Sequence, residues 1–152
     1  MGSFKANVLD KIKWHAEGEY YPVGMPREQA ATHMGMFLAW AIDNRLASEK
    51  HAAENPLVRR LQERSITPGE YFRQMCGEWL QDVDFNQRGE ALADALYDEY
   101  LYEYGYLFSS DLDSLYHAPD TWATYEVVHE LLDSLFGEWA KGTKQVDAAG
   151  PP

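Results

Sequence analysis

Apolar residues recur along this chain at helical spacing. From Pro26 to about Leu46, Ala30, Met34, Phe37, Leu38, Ala41 and Ile42 follow the i, i+3, i+4 rule. Apolar residues here exceed one helical face, which places the segment at the centre of a core with Phe37 and Trp40 both packed against neighbours. Tyr125, Val128, Leu131, Leu132, Leu135 and Trp139 form the stripe of a last helix running to about Ala140, capped by Asp120 or Thr121. Thr67-Pro68-Gly69-Glu70 is a capping box with proline at the first helical position, and it opens a helix carrying Tyr71, Phe72, Met75, Cys76, Trp79 and Leu80. Asn55-Pro56 opens a short helix to about Arg64 with Leu57, Val58 and Leu61 inward. Asn86 caps a helix to about Tyr106 with Leu92, Ala95 and Leu96 inward, and Ser109-Ser110-Asp111 marks a turn. Val8, Leu9 and Ile12 predict a short helix over Asn7 to Trp14, followed by a Gly- and Pro-punctuated loop over 15–25. Alternating runs are scarce and no repeat is visible. The pattern predicts an all-α fold: a single compact domain of five or six helices over residues 1–140, with at most minor strand content. Residues 141–152, rich in Gly, Ala and Pro, are expected to form a flexible tail.

Composition supports a folded domain and narrows its partners. The 152 residues include ten Tyr and five Trp, whereas disordered chains are poor in aromatics. The net charge of −12 disfavours direct nucleic-acid binding, which draws its affinity from Lys and Arg, and docking on an anionic membrane. The N-terminus leads into no apolar h-region and the longest apolar stretch, Met34 to Ile42, is too short for a membrane span. The single cysteine, Cys76, allows no internal disulfide. The expectation is a cytoplasmic chain.

The charge is unevenly placed. From Gly89 to Ala140 there are twelve carboxylates and no Lys or Arg, so this segment carries the whole acidic excess. Tyr97, Tyr100, Tyr102, Tyr104, Tyr106, Tyr116 and Tyr125 lie in the same segment, and no single helical face can bury every ring between Tyr97 and Tyr106. Exposed tyrosines among carboxylates suit a protein-binding surface with a field that steers a basic partner. The bland alternative is an acidic surface that serves solubility. Candidate contacts are Asp94, Asp98, Tyr102, Glu103, Asp111 and Asp113.

Catalytic signatures are weak. Glu126 and His129 form one Glu-x-x-His pair, but a di-iron site needs a second copy and none exists. Cys76 shares an apolar stripe with Met75 and Trp79 and reads as an inert thiol. His15 and His33 could meet in the fold, most simply as hydrogen-bonded packing residues. No catalytic residue, metal ligand or cofactor is implied.

Lys13-Trp14-His15, Gly24-Met25-Pro26, the run Gln29 to Asn44, and Leu115 to Trp122 resemble a family of small acidic bacterial proteins of unknown function, over roughly residues 10–140. The resemblance implies stand-alone cytoplasmic chains, some encoded near polymorphic-toxin genes, and hence an immunity protein; it carries no catalytic residues. The expectation is therefore a non-enzymatic inhibitor that occludes a cognate toxin domain through its acidic, Tyr-rich surface. The alternatives are a small metal-dependent or hydrolytic enzyme using His33, His129 and nearby carboxylates, or a scaffold without catalysis.

Overall fold

The core is organised around one helix that is apolar on every side. In the computed structural model, which describes residues 7–109 and 112–149 (143–149 by backbone alone), every residue of α2 (Thr32–Asp43) from Thr32 to Ile42 is buried. Phe37 and Trp40 are both closed off from solvent, as the excess of apolar positions predicts. Phe37 meets Trp40, Phe85, Tyr97 and Tyr100, with ring centroids 5.1–6.3 Å apart.

The described residues contain six α-helices, four short 3-10 segments and one small two-stranded sheet. The first apolar run begins as a strand, β1 (Val8–Lys11), and only then turns into α1 (Ile12–Ala16), so the helix expected over Asn7 to Trp14 is corrected. β1 pairs antiparallel with β2 (Trp79–Gln81), Asp10 facing Leu80 and Lys11 facing Trp79, with an irregularity between Val8 and Asp10. The segment from Pro26 is a 3-10 turn over Arg27–Ala31 before α2 begins. α3 (Pro56–Gln62) starts at Asn55, whose side chain accepts from the Leu57 amide, and α4 (Pro68–Cys76) starts at the Thr67 capping box. Trp79 and Leu80 do not continue α4: Gly77, at φ 70°, ends it, and the two residues join the sheet.

α5 (Gln87–Ser109) is capped by Asn86, whose Oδ1 accepts from the Gly89 amide. α6 (Trp122–Ala149) is capped by Thr121, which accepts from the Thr124 amide, and it runs past the end expected at Ala140. Asp120 serves α4 instead: Oδ1 accepts from the Gly69 amide and Oδ2 from the Thr67 hydroxyl.

α2 packs most extensively on α4, through a close approach at Gly35. A Cβ there would lie 2.4 Å from the Pro68 carbonyl oxygen, too near for any side chain without moving backbone. α5 and α6 pack on each other and on α2.

Phe37→Ala is expected to cost about 3–5 kcal/mol, since it empties a ring-lined site that surrounding helices cannot close. Thermal denaturation should show a fall of roughly 10 °C or more; an unchanged midpoint would make α2 peripheral.

Candidate functional site

α5 has two faces. Leu92, Leu96, Tyr97, Tyr100 and Tyr104 point into the core. On the outer side Asp94, Asp98, Tyr102 and Tyr106 follow one another at intervals of four and form an exposed ridge about 18 Å long. Tyr102 and Tyr106 are 72% and 74% exposed. Glu103 is half-buried and, with Tyr106, Leu107, Val127, Glu130 and Leu131, lines a shallow groove of about 300 Å³ between α5 and α6. The structure thus brings Asp94, Asp98 and Tyr102 onto one ridge with Glu103 at its edge. Asp113 is exposed on the loop beyond α5, and Asp111 lies outside the described residues.

The Glu-x-x-His pair on α6 is drawn to separate partners. Glu126 pairs with Arg64 at 2.8 Å and His129 with Asp133 at 3.2 Å. His33 stands elsewhere, beside Asp10.

β1 turns the Asp10 side chain into the core, where it is 2% exposed. The immediate passage from β1 into α1 brings His15 back over it, α2 supplies His33 from its first turn, and α5 supplies Tyr97. His15 Nε2 lies 2.8 Å from Asp10 Oδ1 and His33 Nε2 lies 2.9 Å from Oδ2. Tyr97 donates to Oδ2 at 2.6 Å and the Lys11 amide to Oδ1 at 2.8 Å. The two Nε2 atoms are 3.2 Å apart, and His15 Nδ1 is 2.6 Å from the Tyr116 hydroxyl. Burial pushes the Asp10 carboxyl up, but hydrogen bonds with His15 and His33 outweigh it and hold the group well below the usual carboxylate range. Burial pushes the His33 imidazole down against the pull of Asp10. Burial also pushes the Tyr116 phenol up to about 12, so it stays protonated.

A second array repeats the order tyrosine, histidine, aspartate. His51 Nδ1 is 2.6 Å from the Tyr71 hydroxyl, and its Nε2 is 2.9 Å from Asp84 Oδ1. Here Lys50 Nζ also reaches Asp84 Oδ1, at 2.8 Å. Cys76 Sγ stands 3.5 Å from the same oxygen, and burial with that carboxylate pushes the thiol up, which disfavours the thiolate. Burial pushes Asp84 up, but bonds from His51, Lys50 and the Gln81 amide prevail and hold it at about 2.

The sequence singles out His15, His33 and Cys76; Tyr97 and Tyr116 stand out only as members of the tyrosine-rich segment, and Asp10, His51 and Asp84 do not stand out at all. Asp10 lies 23 residues from His33 and 87 from Tyr97, so no local spacing marks it. The one signal in the sequence is an aspartate beside Lys11, between apolar Val8-Leu9 and Ile12.

The Asp84 carboxyl titrates near its ordinary value, about 3.9, when unfolded and at about 2 when folded. A depressed folded value stabilises above pH 4 and is lost as pH falls toward 2, a contribution of about 2 kcal/mol. Asp84→Asn should therefore lower the denaturation midpoint at pH 7 and flatten its decline between pH 4 and pH 2; an unchanged slope would contradict the array's role.

Among the described residues no helix is long and apolar enough to cross a membrane. Neither a curated protein nor a solved structure matches this chain. Residues 8–118, which hold every member of both arrays and stop short of α6, match a family described as Domain of unknown function (DUF7832). The match spans more than half of the chain, and the protein belongs to that family.

Proposed function

We propose that this protein is a non-enzymatic binding module whose outer α5 face occludes a basic protein partner, in the manner of a bacterial immunity protein with a cognate toxin domain. The observation that carries the reading is the ridge of Asp94, Asp98, Tyr102 and Tyr106. It sets carboxylates and exposed rings side by side, and the adjoining groove adds Glu103 and Glu130 around Leu107, Val127 and Leu131. The segment from Gly89 to Ala140 has no Lys or Arg of its own to neutralise this face.

A monomer gains little from such a surface. Asp94 and Asp98 are like charges one turn apart, which costs a helix a few tenths of a kcal/mol. Tyr102 and Tyr106 leave large rings in water, and rigid aromatic side chains are efficient anchors when a partner covers them. The acidic field would speed encounter with a positive cleft, and the rings would slow release. Toxins that act on nucleic acid or nucleotides need basic clefts, which suits occlusion by carboxylates.

The test is a co-expression rescue with a toxin encoded beside this gene, alongside binding kinetics at two salt concentrations. Replacing Asp94, Asp98 and Glu103 together by Lys should leave the fold intact, slow association at least tenfold at low salt and abolish protection. Tyr102→Ala should act on dissociation, by about 2 kcal/mol or roughly thirtyfold. If the triple variant protects as well as the parent and both rate constants stand, the acidic ridge serves solubility and the reading fails.

A further inference from the structure

The two tyrosine–histidine–aspartate arrays differ in one respect. In the Asp84 array the Lys50 ammonium sits 2.8 Å from the carboxylate and supplies the countercharge. Asp10 is 2% exposed, yet among the described residues no Lys or Arg pairs with it. Its charged partners can only be His15 and His33, and only when they are protonated; a buried carboxylate without a permanent cation is costly, even when hydrogen-bonded. What faces Asp10 is two imidazole Nε2 atoms that also face each other at 3.2 Å.

No proton arrangement of two neutral imidazoles satisfies all three contacts. If both rings donate to Asp10, the 3.2 Å contact between the two Nε2 atoms carries no hydrogen bond and sets two donor nitrogens side by side. If one ring gives up its Nε2 proton to accept from the other, its lone pair is set against a carboxylate oxygen at 2.8 or 2.9 Å. A cation removes the conflict, because both lone pairs and the carboxylate then point at the same positive centre.

We propose that Asp10, His15 and His33 bind a divalent transition-metal ion of the zinc class, through the Asp10 carboxylate and the two Nε2 atoms. Zinc–nitrogen bonds of about 2.0–2.1 Å around a tetrahedral centre separate the donor atoms by about 3.3–3.4 Å. The observed Nε2 to Nε2 distance of 3.2 Å is close to that, and the oxygen contacts of 2.8 and 2.9 Å need to open by only about 0.5 Å. The outer partners are in place. The Tyr116 hydroxyl fixes the His15 ring through Nδ1, while Tyr97 and the Lys11 amide hold the carboxylate. Two imidazoles and one carboxylate, with no thiolate, favour zinc, cobalt, nickel or iron(II) over copper(I) and over calcium or magnesium. His33 and Asp10 are closed off, whereas the His15 side chain is 14% exposed, so the ion enters past His15. Water completes the coordination. This site lies on the inner side of α5 and is independent of the outer ridge.

The full-length protein, freed of metal with a chelator, is titrated with Co²⁺ and with Zn²⁺. One equivalent should bind at micromolar Kd or tighter. Cobalt should give visible ligand-field bands without a thiolate charge-transfer band in the near ultraviolet. Zinc at a hundredfold excess over Kd should raise the melting temperature by about 5–10 °C. His15→Gln, at the partly exposed position, should weaken binding at least a hundredfold, and Asp10→Asn likewise. Cys76→Ser, in the other array, should leave it unchanged. No saturable binding by the unaltered protein overturns the proposal. So does a thiolate band, a loss of binding in Cys76→Ser, or full binding by His15→Gln.

Discussion

The fold turns on one carboxylate taken out of water. Asp10 accepts the Lys11 amide and meets His15 on one oxygen, and it accepts Tyr97 and meets His33 on the other. Those contacts tie β1, α1, α2 and α5 to a single point. Removing one partner of a buried charge costs about 3–5 kcal/mol, because the charge stays behind unpaired. The apolar packing around Phe37 would accept many arrangements of similar volume, whereas the Asp10 contacts admit few.

That point also decides how α5 is turned. A helix with tyrosines at 97, 100, 102, 104 and 106 has no unique apolar face, so packing alone leaves its rotation underdetermined. Buried phenol groups usually find a partner for the hydroxyl, although the Tyr104 hydroxyl is buried with none among the described residues. Tyr97 finds Asp10, and Tyr100 finds the carbonyl of His33 at 2.7 Å. With those two rings inward, Tyr102 and Tyr106 face solvent beside Asp94 and Asp98. The inner polar contacts thereby set which side chains form the outer acidic ridge.

What the sequence made legible was local. The Thr67–Glu70 box, the Asn55 and Asn86 caps and the proline starts at Pro56 and Pro68 act within four residues, and the structure repeats them, whereas Pro26 opens a 3-10 turn ahead of α2. The excess of apolar positions in α2 gave away its burial. The sheet was not legible: Trp79 and Leu80 continue the spacing of α4, and they become a strand only because Gly77 ends the helix and Val8–Lys11 pairs with them. Asp120 was readable as a cap but not as a cap for α4, which begins 52 residues upstream. The arrays were half legible. His15 and His33 were visible as a candidate pair, while Asp10, Tyr97 and Tyr116 join them across 5 to 101 residues of chain. Of the ridge, the run of carboxylates and the need for some tyrosines to be exposed were visible, but not which ones.

The central claim is that the Asp10 carboxylate couples β1 to α5 through Tyr97. A double-mutant cycle measures it directly: the stability of the parent, Asp10→Asn, Tyr97→Phe and the double variant, from denaturant unfolding at neutral pH. Asparagine keeps the shape and removes the charge, and phenylalanine removes only the hydroxyl. The account predicts a coupling energy of about 1–3 kcal/mol between the two sites. Additive effects, or an Asp10→Asn protein as stable as the parent, would contradict it.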